Sequence, residues 1–137
     1  MTESEKLKNA RNLLLKLHKV MLDREREIYE GIHGPLKPTQ FLNVLLEDMD
    51  FDWLRKFSML IVEIDEMFAF LGSFEFTEDA EMVSANLGKV EELIEMREHD
   101  EFFKAKYQFS LQSVPEAAAL HSEIKIVLSE PPAVAGG

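Results

Sequence analysis

The chain has 137 residues, no cysteine and a formal charge of −11, from 15 basic and 26 acidic side chains. That length suits one domain with a self-supporting core, and the lack of cysteine excludes a disulfide framework or a thiolate metal site. A hydrophobic content of 46%, with ten phenylalanines, argues for a folded chain, while the acidic charge opposes phosphate-driven nucleic-acid binding.

No apolar run reaches the roughly 18 residues that a membrane span needs. The polar opening MTESEKLKNARN carries no signal-peptide apolar core, which points to the cytoplasm. Neither a membrane nor a nucleic acid is therefore an expected partner. The charge is unevenly spread. Residues 1–40 hold eight basic and six acidic groups, and residues 41–137 hold seven and twenty. A mildly basic first segment packed on an acidic scaffold accounts for that pattern.

Residues 3–33 read as one long helix. Leu7, Leu14, Met21 and Ile28 recur every seven residues, with Ala10 and Leu17 in companion positions. Ser4 is placed to cap its start, and Gly31, Gly34 and Pro35 end it. A second, short helix is expected over 39–48 behind a Thr39 cap. A third runs over 51–71, with Asp50 or a neighbour as cap and Gly72 as stop. Ser73-Phe74-Glu75-Phe76 reads as a loop with two apolar anchors. Thr77 caps a fourth helix over 78–98, with Glu78 and Asp79 suiting its dipole. A fifth covers 100–112. Ser113-Val114-Pro115-Glu116 has capping-box spacing and opens a last helix ending near Leu128. The expected fold is all-α: a helical bundle of four main helices plus one or two short ones, a single domain over 1–128 with a disordered tail over 129–137.

At about 100° per residue, the faces of each helix can be written down. In the first helix the apolar arc takes in the Leu7 series, the Leu15–Leu22–Tyr29 series, and Leu13 with Val20. The series Arg11, His18, Glu25, Ile32 falls inside that arc, and Arg24 extends the Ala10–Leu17 series. Buried ionisable groups need partners. Asp65, at the edge of the third helix's stripe, and His121, flanked by Ala117, Ile124 and Leu128, are candidates. A polar cluster of His18, Arg24, Glu25, Asp65 and His121 is the candidate ligand site. Its arginine favours an anionic small molecule over a cation.

The third helix has a core stripe of Leu54, Phe57, Ile61, Ile64, Phe68 and Leu71, but Met59, Val62, Ala69 and Phe70 make its reverse side apolar too. A helix apolar nearly all round is either central or covered by a second molecule. Those four residues are the candidate interface, for a homodimer or another protein.

Three short patterns touch on catalysis or metals. Glu30-Gly31-Ile32-His33 has the E-x-x-H spacing of di-iron bundles, but lies at a helix end with no second copy. Asp48, Asp50 and Asp52 copy the first three positions of a calcium loop, whose sixth and twelfth positions are Trp53 and Met59 rather than Gly and Glu. Glu91-Glu92-Leu93-Ile94-Glu95 resembles the EExxE half of the motif of MazG-like nucleotide pyrophosphohydrolases, small all-α acidic proteins that hold magnesium with carboxylates. That likeness implies Glu91, Glu92 and Glu95 as magnesium ligands. The family's downstream E-x-x-D is absent, and Glu47-x-x-Asp50 lies upstream. No nucleophile elbow or glycine-rich phosphate loop occurs. The leading expectation is a non-catalytic bundle that works by protein–protein contact, with no catalytic residue, metal or cofactor.

Overall fold

The seven-residue recurrence of apolar side chains at the start of the chain is realised as one continuous helix, α1 (Glu3–His33). The structure is a computed structural model that describes residues 1–72, 80–97 and 100–131. The cap of α1 is Thr2, not Ser4. Thr2 Oγ1 accepts from the Glu5 N–H at 3.1 Å, and Glu5 Oε2 accepts from the Thr2 N–H at 3.3 Å. Thr2 and Glu5 hold the reciprocal spacing of a capping box, which places Ser4 inside the first turn. At the far end Gly34 takes φ 91°, a conformation open to glycine, and its N–H reaches the Glu30 carbonyl at 2.8 Å.

Helix α2 spans Pro38–Glu47. Thr39 lies within it, because Pro38 has the fixed φ that suits a first helical position and starts the helix earlier. Gln40 Oε1 accepts from the Lys37 N–H at 2.9 Å in place of a hydroxyl cap. A 3₁₀ turn, Met49–Phe51, follows, entered by Asp48, whose Oδ1 accepts from the Asp50 N–H at 2.9 Å. It leads into α3 (Asp52–Gly72).

Helix α4 is described over Ala80–Ile94. Its expected opening residues Thr77, Glu78 and Asp79, and the 73–76 loop, lie outside the described residues. The helix ends before the expected position 98. Met96 takes φ 56°, its N–H reaches Leu93 O at 3.2 Å, and the Arg97 N–H reaches Glu92 O at 3.1 Å. These are the two bonds of a Schellman ending, with methionine where glycine is usual, so no glycine announced the stop.

Helix α5 (Glu101–Ser113) is capped by Asp100 Oδ1, which accepts from the Phe103 N–H at 3.1 Å. Only Val114 separates it from α6 (Pro115–Ser129). The expected Ser113 capping box does not form. Ser113 still belongs to α5, and its Oγ donates to Phe109 O at 2.7 Å. Ser129, expected as the start of the tail, closes α6, and the Glu130 carbonyl accepts from Lys6 Nζ at 2.7 Å.

The fold is an all-α bundle; the described residues contain no strand. Helix α1 is its spine. It packs most extensively on α6, then on α3 and α4, while α5 lies on α6 and α3. Leu7, Ala10, Leu14, Leu17 and Met21 are buried along α1, facing Trp53, Phe57, Ile61 and Ile64 of α3 and Ile124 of α6 in one core. Leu15 and Ile32 are exposed, so the apolar arc of α1 is narrower than its composition suggests. An aromatic block joins α3 to α5. Phe57 and Tyr107 meet edge to face at 5.1 Å between ring centroids, and Trp53 lies 6.3 Å from Phe103.

Candidate functional site

Four of the five polar residues predicted on α1, α3 and α6 meet separate partners, and His18 sits half-buried on α1. Glu25 occupies the core position one turn after Met21 and is 6% exposed. Its Oε2 lies 3.5 Å from Lys106 Nζ of α5, which offsets the cost of burying a carboxylate. Asp65 is exposed and takes a two-pronged hold from Arg11, Nε to Oδ1 at 2.9 Å and Nη2 to Oδ2 at 2.8 Å. That fork ties α1 to α3 and raises the Arg11 guanidinium pKa, chiefly through the bond to Asp65.

His121 Nδ1 lies 2.7 Å from Tyr107 Oη. With His121 neutral and protonated on Nε2, the phenol donates. Burial pushes the Tyr107 phenol pKa up, which keeps it a donor. Burial lowers the His121 pKa, with help from the Lys125 charge, and burial alone lowers that of His18. Arg24 pairs with its neighbour Glu27 at 3.4 Å on an α1 flank near Val114 and Pro115. Of the predicted cluster, then, Glu25 is buried, His18, Arg24 and His121 are half-buried, and Asp65 faces solvent. None of their polar contacts joins one member to another.

The partners that absorb these charges, Arg11, Lys106 and Tyr107, were not assigned from the sequence. Arg11 carried a signal: it shares the seven-residue series of His18 and Glu25. Lys106 lies 81 residues beyond Glu25, and Tyr107 sits 14 residues before His121 on a different helix, so only the fold brings each pair close.

The short motifs are spent on structure. Glu30 Oε1 accepts from Arg26 Nε at 2.8 Å and Oε2 from the Leu36 N–H at 2.9 Å, while Arg26 Nη2 donates to Leu36 O at 2.9 Å. This clasp folds the α1–α2 loop back on α1. It holds the Glu30 carboxyl below the usual carboxylate range, first through the Leu36 N–H and then through Arg26. His33, the other end of E-x-x-H, stacks on Tyr29 at 4.3 Å. Asp48 is a cap, and Asp52 pairs with Arg55 at 3.3 Å. Among the described residues no group of three His, Asp or Glu side chains is placed to hold a metal ion.

The EExxE run divides between two faces of α4. Glu91 and Glu95, one turn apart, both pair with Arg97, Glu91 at 3.2 Å, and border a groove of about 410 Å³ with Lys125 and Ile126 of α6. Glu92, one residue on, borders a different groove with Met59, Glu63 and Lys89. Helical geometry forces this split, since adjacent residues point about 100° apart.

The outward face of α3 is different in kind. Met59 is 68% exposed, Val62 53% and Phe70 52%, and Ala69 is exposed beside them. On the same helix Trp53, Phe57, Ile61 and Ile64 are buried. Met59 and Val62 floor a groove of about 390 Å³ whose other walls are Ser58, Glu63 and Glu66. Glu63 is paired with Lys89 of α4 along one side. At the helix start Arg55 Nη2 donates to Leu46 O at 2.8 Å. This brings Leu46, an exposed side chain of α2, to the end of the same face. Comparison with known proteins yields no matching family model, no matching curated protein and no matching solved structure.

Proposed function

We propose that this chain works by protein–protein contact through the outward face of α3. The observation that supports the reading is the exposure of Met59, Val62, Ala69 and Phe70 on one side of a helix whose other side is core. Single exposed apolar residues are ordinary. A row at helical spacing, two of whose members floor a groove with acidic walls, is the pattern of a recognition surface. Arg24, Glu25, Asp65 and His121 each pair with a different residue rather than converging on one site, so the outward face carries the reading instead.

The test is a photoreactive residue at position 62, with position 16 on the exposed side of α1 as control, activated in cells of the source organism. A covalent protein adduct of definite mass at 62, with none at 16, is the expected result. Position 62 reacting no more than position 16 would overturn the reading.

A further inference from the structure

We infer that the α3 face is built to receive a second copy of itself, antiparallel, about a two-fold axis between Leu60 and Ile61. The inference rests on the docking reading above and adds the partner and the register. Arg55, Met59, Val62, Glu66 and Ala69 follow one another at alternating four- and three-residue spacing. That is the spacing of a helix–helix seam. All five are exposed.

A two-fold contact must be complementary to itself, and the order of charges along this seam decides which contact is. The basic member, Arg55, lies at the N-terminal end, and the acidic Glu66 lies beyond the apolar pair. In a parallel pairing Arg55 would meet Arg55 and Glu66 would meet Glu66. An antiparallel pairing centred one seam step further along would set Glu66 against Val62 and bury an unpaired carboxylate. One centred a step earlier would set Asp52 against Val62. With the axis between Leu60 and Ile61, each Met59 meets the second copy's Val62, and each Arg55 meets its Glu66. Both pairs occur twice. The apolar pairs sit at the centre and the charge pairs outside them, the arrangement of a dry core and a polar rim.

Arg55 is already oriented for this. Its guanidinium is held by the Leu46 carbonyl at 2.8 Å and by Asp52 at 3.3 Å, and its side chain remains 46% exposed. The same hold sets Leu46 beside Arg55, where it would cover Ala69 of the second copy. This extends the contact beyond a single pair of helices.

Sedimentation equilibrium at ~0.15 M salt, where long-range repulsion between the acidic copies is screened, tests the inference. The wild-type chain is expected to be a dimer. E66R and R55E each place like charges together twice and should weaken it about tenfold or more. The double variant R55E/E66R reverses both pairs and should return to within about threefold of wild type. E66R alters only an exposed side chain, so it reports even where R55E loosens the end of α2. Because the chain has no cysteine, an M59C chain mixed with a V62C chain should form a disulfide on mild oxidation. A69C alone should not link to itself, since the two copies of position 69 would lie about 25 Å apart along the axis at 1.5 Å per residue. A69C linking to itself, or failure of the double variant to recover, overturns this register. A monomer at all concentrations overturns self-pairing and leaves docking to be judged by the adducts at position 62. A dimer unchanged by Met59→Glu likewise overturns self-pairing through this face and leaves docking to the adducts at position 62.

Discussion

The inner arc of α1 and the outer face of α3 each hold the wrong kind of residue for their place, and the molecule treats them oppositely. On α1, charges that fall toward the interior find partners within the chain: Glu25 meets Lys106 and Arg11 meets Asp65. On α3, apolar side chains that fall toward water remain exposed together. A misplaced charge costs too much to leave unpaired, so folding resolves it locally. An exposed methionine or valine costs the isolated chain little. The second kind of misplacement can therefore persist and serve contact with another molecule.

The sharpest way to break this comparison is to truncate the two sides of α3. Ile61→Ala, on the buried side, should lose about 2–5 kcal/mol of unfolding free energy in urea titration. Met59→Ala, on the exposed side, should stay within about 0.5 kcal/mol when measured on monomer at high dilution. Equal losses would mean that the two faces are not distinct. On α1, Lys106→Ala strands the Glu25 carboxylate. The full cost of breaking a buried pair is tempered by the partial exposure of Lys106 and by the 3.5 Å separation, leaving about 1–3 kcal/mol. Adding Glu25→Leu to that variant should recover most of the loss. Asp65→Asn removes a half-exposed partner of Arg11 and should cost about 1 kcal/mol or less, with the difference fading in high salt.

The smallest expected effect is a pH dependence. His18 and His121 are both held below the ordinary imidazole value of 6.5. The unfolded chain therefore binds protons that the folded chain resists. Stability should fall as pH drops below 6.5, and should level off once the folded imidazoles are protonated too. His121→Gln keeps an acceptor for Tyr107 and should flatten the urea midpoint between pH 7.5 and 5.5, as should His18→Gln. A wild-type midpoint that rises on acidification through this range would contradict the assignment of both rings.

Much of this architecture was legible before any coordinates. The 3–33 helix follows from leucine spacing, and the two-sided nature of α3 follows from writing its residues around a circle. Both are local properties. Helix ends were less legible where the signal was not a glycine or a serine in its usual place. Met96 ends α4 in a conformation that its type rarely adopts, and Pro38 rather than Thr39 starts α2. The interior cluster was legible only in part. Periodicity placed Glu25 inside, but it carries no information on what faces it from α5, where Lys106 comes near through the tertiary fold. The outward face of α3 needed no such knowledge, because a side chain that points away from the core can be recognised from its own helix alone.

The dominant packing of α1 on α6 has a consequence for the order of assembly. During synthesis the N-terminal leucine ridge leaves the ribosome almost a hundred residues ahead of the segment that covers its largest flank. Until Ala117, Leu120 and Ile124 arrive, Leu7, Leu14 and Leu17 can be covered only from the side of α3 and α4. The bundle therefore closes late, through a contact of long sequence separation that slows folding, and a nascent chain stalled before α6 presents a greasy spine to chaperones.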